Sequence, residues 1–353
     1  MVSRIRLIAA GIALMCGFDC IEARGQSTVP TTSRSVSSAI TAQEAGVRGL
    51  VCHDPSTIIR CKDEYWIFYT GTGIRSAYSK DLITWLPGPR MGALTAAPWV
   101  ATAVPNNRRN NFWAPEVTKL GDNYLLYYAV SSFGSPVSAI GLASSPTLDP
   151  ADPAYKWTDQ GIVVQSQRAD NFNAIDPAIA SDVEGGLWMS FGSFWSGIKL
   201  VQLDPGTGKR IAPDSKIYSL AHHSSIEASY IYRHGNYFYL MVNWGACCRG
   251  VNSTYNIRVG RSEKITGPYV DKEGIDMMND GGTLLLGSEG QFIGPGQAGI
   301  LAENGKEWIS FHYEADTRRR NTLAIRPLSW DKDGWPVVER MPEVAAGMPA
   351  AGK

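Results

Sequence analysis

Five stretches of this chain repeat one order of polar and apolar positions: an acid or amide, an alternating apolar run, a polar turn, then a strand rich in aromatics. They are DPSTIIRCKDEYWIFYTG from Asp54, APEVTKLGDNYLLYYAVS around Glu116, DPAIASDVEGGLWMSFGS from Asp176, EASYIYRHGNYFYLMVNW from Glu227, and GPGQAGILAENGKEWISFHYEAD around Gln297. Alternation with period two predicts strands, and the GDN, EGG, HGN and ENG turns predict hairpins. Later strands are legible in SAIGLASSPTLDP and YNIRVGRSEKITGPY, and the units end near Trp85, Trp157, Tyr269 or Trp330. Recurrence every roughly 50 to 70 residues, with several strands per unit, fits propeller blades better than solenoid turns. The expectation is an all-β, five-bladed β-propeller over residues 47–340, with about four antiparallel strands per blade.

Composition narrows this further. Of 353 residues, 36 are Gly and 20 are Pro, which suits many short strands and tight turns. Lys plus Arg balance Asp plus Glu at 33 each, so no basic stripe is present to hold a nucleic acid. The N-terminus carries Arg4 and Arg6, an apolar run from Leu7 to about Gly17, and small residues at Ala23 and Gly25. That order predicts a secretory signal peptide over 1–25, because the run is shorter than the roughly 20 residues a bilayer span needs. Residues 26–46 are rich in Ser and Thr and read as a flexible lead-in, and 341–353 as a loose tail. No later segment is apolar enough to span a membrane, and the mature protein is expected to be a secreted monomer.

Cysteine usage follows from that compartment. Removing the signal leaves Cys52, Cys61, Cys247 and Cys248, which in an oxidising milieu tend to pair, as Cys52 with Cys61 and as an adjacent Cys247–Cys248 bridge. Free buried thiols are the alternative. Zinc is disfavoured, since no second Cys or His cluster stands at the spacing of a tetrahedral site.

In a propeller each opening strand is innermost, so its first residues face the central channel and the acids of different blades converge there. An Asp at a strand start also caps turns, so a single acid decides nothing. Asp63, Asp122 and Glu184 lie at turns and read as solvated. His222, His223 and His234 read as loop residues.

The segments HDPS, NFWAPEV, NAIDPAI, FGSFWSGI, SSIEASYI, NWGACCRGVNSTYNIRVGRS and ITGPY resemble glycoside hydrolase family 43, most closely its endo-α-1,5-L-arabinanases, over about residues 48–340. The resemblance implies a five-bladed propeller that cleaves internal α-1,5-L-arabinofuranosidic links with inversion. Inversion needs an acid on the leaving oxygen and a base on the opposite face, roughly 6.5–9.5 Å apart. Separate blades supply such a distance; no short sequence spacing does. By the same resemblance Asp54 is the general base, Glu227 the general acid, and Asp176 the carboxylate that keeps Glu227 protonated and oriented, since a nearby anion raises a carboxyl pKa. Glu116, two residues past the matching position, is a wall or salt-bridge residue.

Around these acids, His53, Trp113, Phe133, Ser193, Trp195 and Arg326 are candidate contacts to arabinan and arabino-oligosaccharides, the aromatics as faces for sugar C–H surfaces. Each aromatic could equally be blade packing, and Arg326 could lie on an outer surface. The resemblance also implies a calcium ion near the site, held through His312 and waters, although one imidazole is a weak calcium signal. Gln297 stands where the resemblance leads one to expect a histidine, which puts the ion's second protein contact in doubt. Two alternatives stay open: an exo-acting α-L-arabinofuranosidase or β-xylosidase with the same acids, and a non-catalytic sugar-binding propeller.

Overall fold

The computed structural model describes residue 47 and residues 50–92, 97–107, 110–314 and 321–339. The expected signal peptide, lead-in and tail lie outside the described residues. Four of the five sheets have four antiparallel strands in sequence order. Blade one is β1 (Ile59–Cys61), β2 (Glu64–Tyr69), β4 (Arg75–Ser79) and β5 (Leu86–Pro87), while β3 (Gly71–Thr72) crosses to the next sheet. Blade two adds β6 (Asn111–Leu120), β7 (Asn123–Val130), β8 (Ser138–Ser145) and β9 (Thr158–Ser166) to that short β3, giving five strands. Blade three is β10 (Ala178–Ser181), β11 (Leu187–Phe191), β12 (Ile198–Leu203) and β13 (Tyr218–Ala221). Blade four is β14 (Ile226–His234), β15 (Tyr237–Trp244), β16 (Asn256–Ser262) and β17 (Thr283–Leu286). Blade five is β18 (Ile293–Glu303), β19 (Lys306–Glu314), β20 (Asn321–Trp330) and β21 (Pro336–Val338). One short helix, α1 (Pro98–Ala103), precedes blade two. Among the described residues no helix is long and apolar enough to cross a membrane.

Why the sheets form a ring follows from their two-sided burial. A strand sends successive side chains to opposite faces, and in the second strand of each blade both faces are apolar. On β15, Phe238, Leu240 and Val242 pack with Ile198 and Leu200 of blade three, whereas Tyr239 and Met241 pack with Ile309 and Phe311 of blade five. On β7, Leu126 and Tyr128 meet Trp66 and Phe68 of blade one, and Leu125 and Tyr127 meet Met189 and Phe191 of blade three. The fifth cluster joins Trp308 and Ile325 of blade five to Ile67 and Ala77 of blade one. Each of the five apolar clusters therefore straddles one blade pair, and together they close the circle without a free sheet face. Each fully buried large side chain stabilises by about 1.5–3 kcal/mol relative to exposure.

The seam is closed by backbone as well. Cys52 N–H donates to Asn321 O at 2.8 Å, and Val51 bridges Thr322. Cys52 is buried in the cluster between blades five and one, and Cys61 in the cluster between blades one and two. Both are free thiols, so the expected Cys52–Cys61 pairing is not present. Packing into different interfaces keeps them apart, and Cys61 Sγ instead lies 3.6 Å from Thr147 Oγ1.

Candidate active site

Each blade has a left-handed residue before or near the start of its inner strand: Asp54 (φ 48), Ala114 (φ 38), Asp176 (φ 56), Ala228 (φ 54) and Gln297 (φ 59). In β6, β14 and β18 this residue follows the last inner pair, Trp113 with Ala129, Glu227 with Asn243, and Gly296 with His312, after which the register shifts. These are bulges that re-aim side chains at the axis. The repeat is thus real, but aligning it by acids misplaces blade four by one residue: Ala228 shares the column of Asp54 and Asp176, and Glu227 precedes it. The left-handed residues are held by polar groups from neighbouring blades. Ala114 N–H donates to Thr70 Oγ1 (2.9 Å), Ala228 N–H to Asp176 Oδ2 (3.1 Å), Gln297 N–H to Asn243 Oδ1 (3.1 Å), and Asp54 N–H to His312 Nδ1 (3.2 Å).

Asp54, Asp176 and Glu227 line one cavity of about 980 Å³ at the ends of these strands. His53, Trp113, Phe133, Ser193 and Trp195 line it too. Trp113 and Phe133 rings lie 4.9 Å apart, Phe133 is 86% exposed and Trp195 41%, so these aromatics present faces to whatever enters. Trp195 stands on a loop with two consecutive left-handed bulky residues, Phe194 (φ 45) and Trp195 (φ 34). That strain is held by Phe194 N–H to Ile226 O (2.7 Å), and by Gly197, where a Cβ would fall 2.1 Å from Ala221 O. Arg326 does not line the cavity: it is buried in β20 with its guanidinium over the Phe292 and Phe311 rings.

The three acids sit in different electrostatic settings. For Asp54, burial favours the neutral form. The His53 ring, with Nδ1 at 2.6 Å, and the Thr70 hydroxyl, donating at 2.7 Å, outweigh burial and bring the carboxyl down to about 2. The His53 contact is too bent for an aligned hydrogen bond and acts as a charge pair. Burial works against a charged His53 as well, yet Asp54 and Cys248 raise its pKa well above the ordinary value.

Asp176 and Glu227 behave oppositely. Burial raises both carboxyls, the Glu227 charge lifts Asp176 further, and the Asp54 charge lifts Glu227. Hydrogen bonds from Tyr255 O–H to Glu227 Oε1 and from Ser193 Oγ–H to Oε2 (3.1 Å) pull Glu227 back only in part. The pair thus retains a proton at pH values where Asp54 has lost its own, and the proton belongs to the pair. The arrangement provides an ionised carboxylate and a proton donor in one cleft, as general acid–base chemistry requires. Asp176 also fixes the start of β14 through Ala228 N–H. Tyr255 stands 28 residues beyond Glu227, and nothing in that spacing marks it as a site residue.

Glu116 is buried, does not line the cavity, and has no salt bridge among the described residues. Its Oε2 accepts from Thr57 N–H at 2.9 Å, and burial lifts its carboxyl to about 7. Asp63, Asp122 and Glu184 are exposed. His222 and His223 lie between strands, but His234 ends β14, stacked on Trp330.

Cys247 and Cys248 are thiols with sulfurs 2.6 Å apart. Cys248 Sγ lies 3.3 Å from His53 Nε2, so the fold supplies from 195 residues away the histidine that sequence spacing did not. Contact with the Cys247 thiol and with His53 brings Cys248 down to about 6 against burial, while Cys247 moves up.

A cation at His312 has one observation in its favour. The ring is fully buried, burial brings its pKa down to about 3, and Nε2 has no hydrogen-bond partner among the described residues. With Nδ1 facing Asp54 N–H, the leftover nitrogen fits one protein contact to an otherwise hydrated ion. Gln297, also buried, lines the cavity.

A closed five-bladed propeller with an acid–base cluster in its axial cleft is a glycoside hydrolase framework, and the comparisons specify which. Residues 49–336 match the glycosyl hydrolases family 43 profile, and the chain belongs to that family. It is 40% identical over 308 residues to the extracellular exo-α-(1→5)-L-arabinofuranosidase of Cellvibrio japonicus, covering 83% of this chain and 88% of that one. It is also 40% identical over 299 residues to the extracellular endo-α-(1→5)-L-arabinanase 1 of Bacillus subtilis, covering 82% and 88%. The structure of Cellvibrio cellulosa α-L-arabinanase complexed with arabinohexaose superposes with a TM-score of 0.78 at 39% identity, over 82% of this chain and 96% of that one.

Proposed function

We propose that this glycoside hydrolase cleaves internal α-1,5-L-arabinofuranosidic links of arabinan by single displacement, after secretion. The observation that carries the reading is the meeting of Asp54, Asp176 and Glu227 from three blades in one aromatic-walled cleft. Asp54, ionised at any working pH, takes a proton from the attacking water. Glu227, protonated through burial and repulsion, hands its proton to the departing oxygen. Asp176 keeps that proton on the pair and anchors β14. Trp113, Phe133 and Trp195 stack on furanose faces, His53 and Ser193 hold the carboxyls, and His312 would hold a calcium ion, whose charge would favour the ionised form of Asp54.

The relatives divide between exo and endo names, so exo action is the second reading. Digestion of debranched linear arabinan decides between them: a mixed ladder of oligosaccharides with an early viscosity drop supports the endo reading, and a single short product throughout supports exo. Proton NMR of the first product should show the anomer inverted, and retention would overturn the single displacement. Glu227→Ala should abolish release, and binding without release by the wild type would favour a lectin.

A further inference from the structure

Beside the acids, the cleft holds two thiols that hydrolysis does not use, next to His53, which it does. Cys247 Sγ, Cys248 Sγ and His53 Nε2 all lie within 4.8 Å of one another, and the three residues line the cavity. We propose that they form a binding site for a thiophilic divalent cation of the zinc and cadmium class, and that its occupation shuts the cleft.

Three features carry the inference. First, the donor set is soft: two adjacent sulfurs and one imidazole suit zinc or cadmium and not calcium or magnesium. Second, the two ring nitrogens of His53 face opposite partners, Nδ1 at 2.6 Å from the Asp54 carboxylate and Nε2 at 3.3 Å from Cys248 Sγ. The Asp54 charge beside the far nitrogen makes the ring a better ligand for a cation. Third, the cysteine loop is fixed beforehand. Cys248 is left-handed (φ 65), and its N–H (2.7 Å) and that of Gly250 both donate to the fully buried Glu314 carboxylate.

A cation would displace one proton from each thiol. The sulfurs would open from 2.6 Å to roughly 3.7 Å, the edge of a tetrahedron with 2.3 Å zinc–sulfur bonds. The fourth position faces the cleft. Occupation ties His53 to the metal, draws on Asp54 from the far side, and places a fixed charge where a furanose must sit. A Cys247–Cys248 disulfide would consume both sulfurs and close the site, so the site belongs to the dithiol form.

The inhibitory half of the proposal rests on the hydrolase reading, while the binding half does not, and the test keeps them apart. The full-length reduced chain is titrated with cadmium chloride in excess calcium. Thiolate-to-cadmium ultraviolet absorption should saturate at one equivalent, hydrolysis of linear arabinan should fall at least tenfold, and a competing aminocarboxylate chelator without sulfur should reverse both. A Cys247→Ser/Cys248→Ser variant, which retains Cys16, Cys20, Cys52 and Cys61, should lack the band and keep its own metal-free rate. Should that variant not fold, wild type oxidised by excess glutathione disulfide, with two glutathione thiols released per bridge and then removed by gel filtration, should also lack the band. No band in the reduced wild type, or a band that survives in either control, overturns the site. A band with undiminished hydrolysis overturns the blockade alone. A chain inactive on arabinan without metal refutes the substrate reading and leaves the absorption titration to decide the site.

Discussion

Blades one, three and four carry an acid at or next to a backbone position all five share, and blades two and five do not. Each inner strand has a left-handed residue before or near its start, but blades two and five place Ala114 and Gln297 there, while Asp54 and Asp176 occupy it in blades one and three and Glu227 precedes Ala228 in blade four. An alanine at φ 38 in a blade that sends no acid into the cleft shows that the strain is a property of the architecture. It aims the strand openings inward whatever side chain they carry. Chemistry is added to three of the five openings, so a bent backbone at an axis is not by itself evidence of catalysis.

The sharpest way to break this comparison is to neutralise the acids. Asp54→Asn and Glu227→Gln should each lower kcat/KM on linear arabinan by about 10²- to 10⁴-fold, the usual worth of a general acid or base. A loss under tenfold in both would mean that the three-blade division carries no chemistry. Next in size is Tyr255→Phe. It removes a hydrogen bond that favours ionised Glu227, so the alkaline limb of the kcat/KM profile should move to higher pH; a downward move would place the active proton elsewhere.

A smaller effect concerns blade two. The Glu116 carboxyl is raised in the folded state to about 7, so its share of stability is full below the unfolded value near 4.3 and is lost as pH rises through about 7. Glu116→Gln should therefore flatten the Tm profile between pH 5 and 8 and recover up to about 3 kcal/mol at pH 8. An unchanged slope would mean that Glu116 is not the group responsible. The smallest expected change is at Ala114→Gly, where relief of left-handed strain should raise denaturant stability by up to about 1 kcal/mol without altering kcat. A fall in stability would show that the bulge needs its Cβ.

What could be seen in the sequence was whatever is local. Alternation and turn chemistry located the hairpins, and carboxylates at strand starts located the inner ends, because burying an acid there without a purpose is costly. The one-residue offset of Glu227 was invisible, since a bulge leaves composition untouched. So were contacts made across blades: Tyr255 with Glu227, His53 with Cys248, and Arg326 between two phenylalanines and not in the cleft. The Cys52–Cys61 expectation failed for the same reason, as nearness along the chain does not say which interface each thiol enters.

The hydrogen bond from Asp54 N–H to His312 joins the first blade to the last. Asp54, the base in the proposed mechanism, is therefore positioned by a side chain made some 250 residues after it. A nascent chain on the ribosome holds Asp54 long before it holds the imidazole that sets it, so hydrolytic competence should arrive abruptly, when the fifth blade docks, and not accumulate blade by blade.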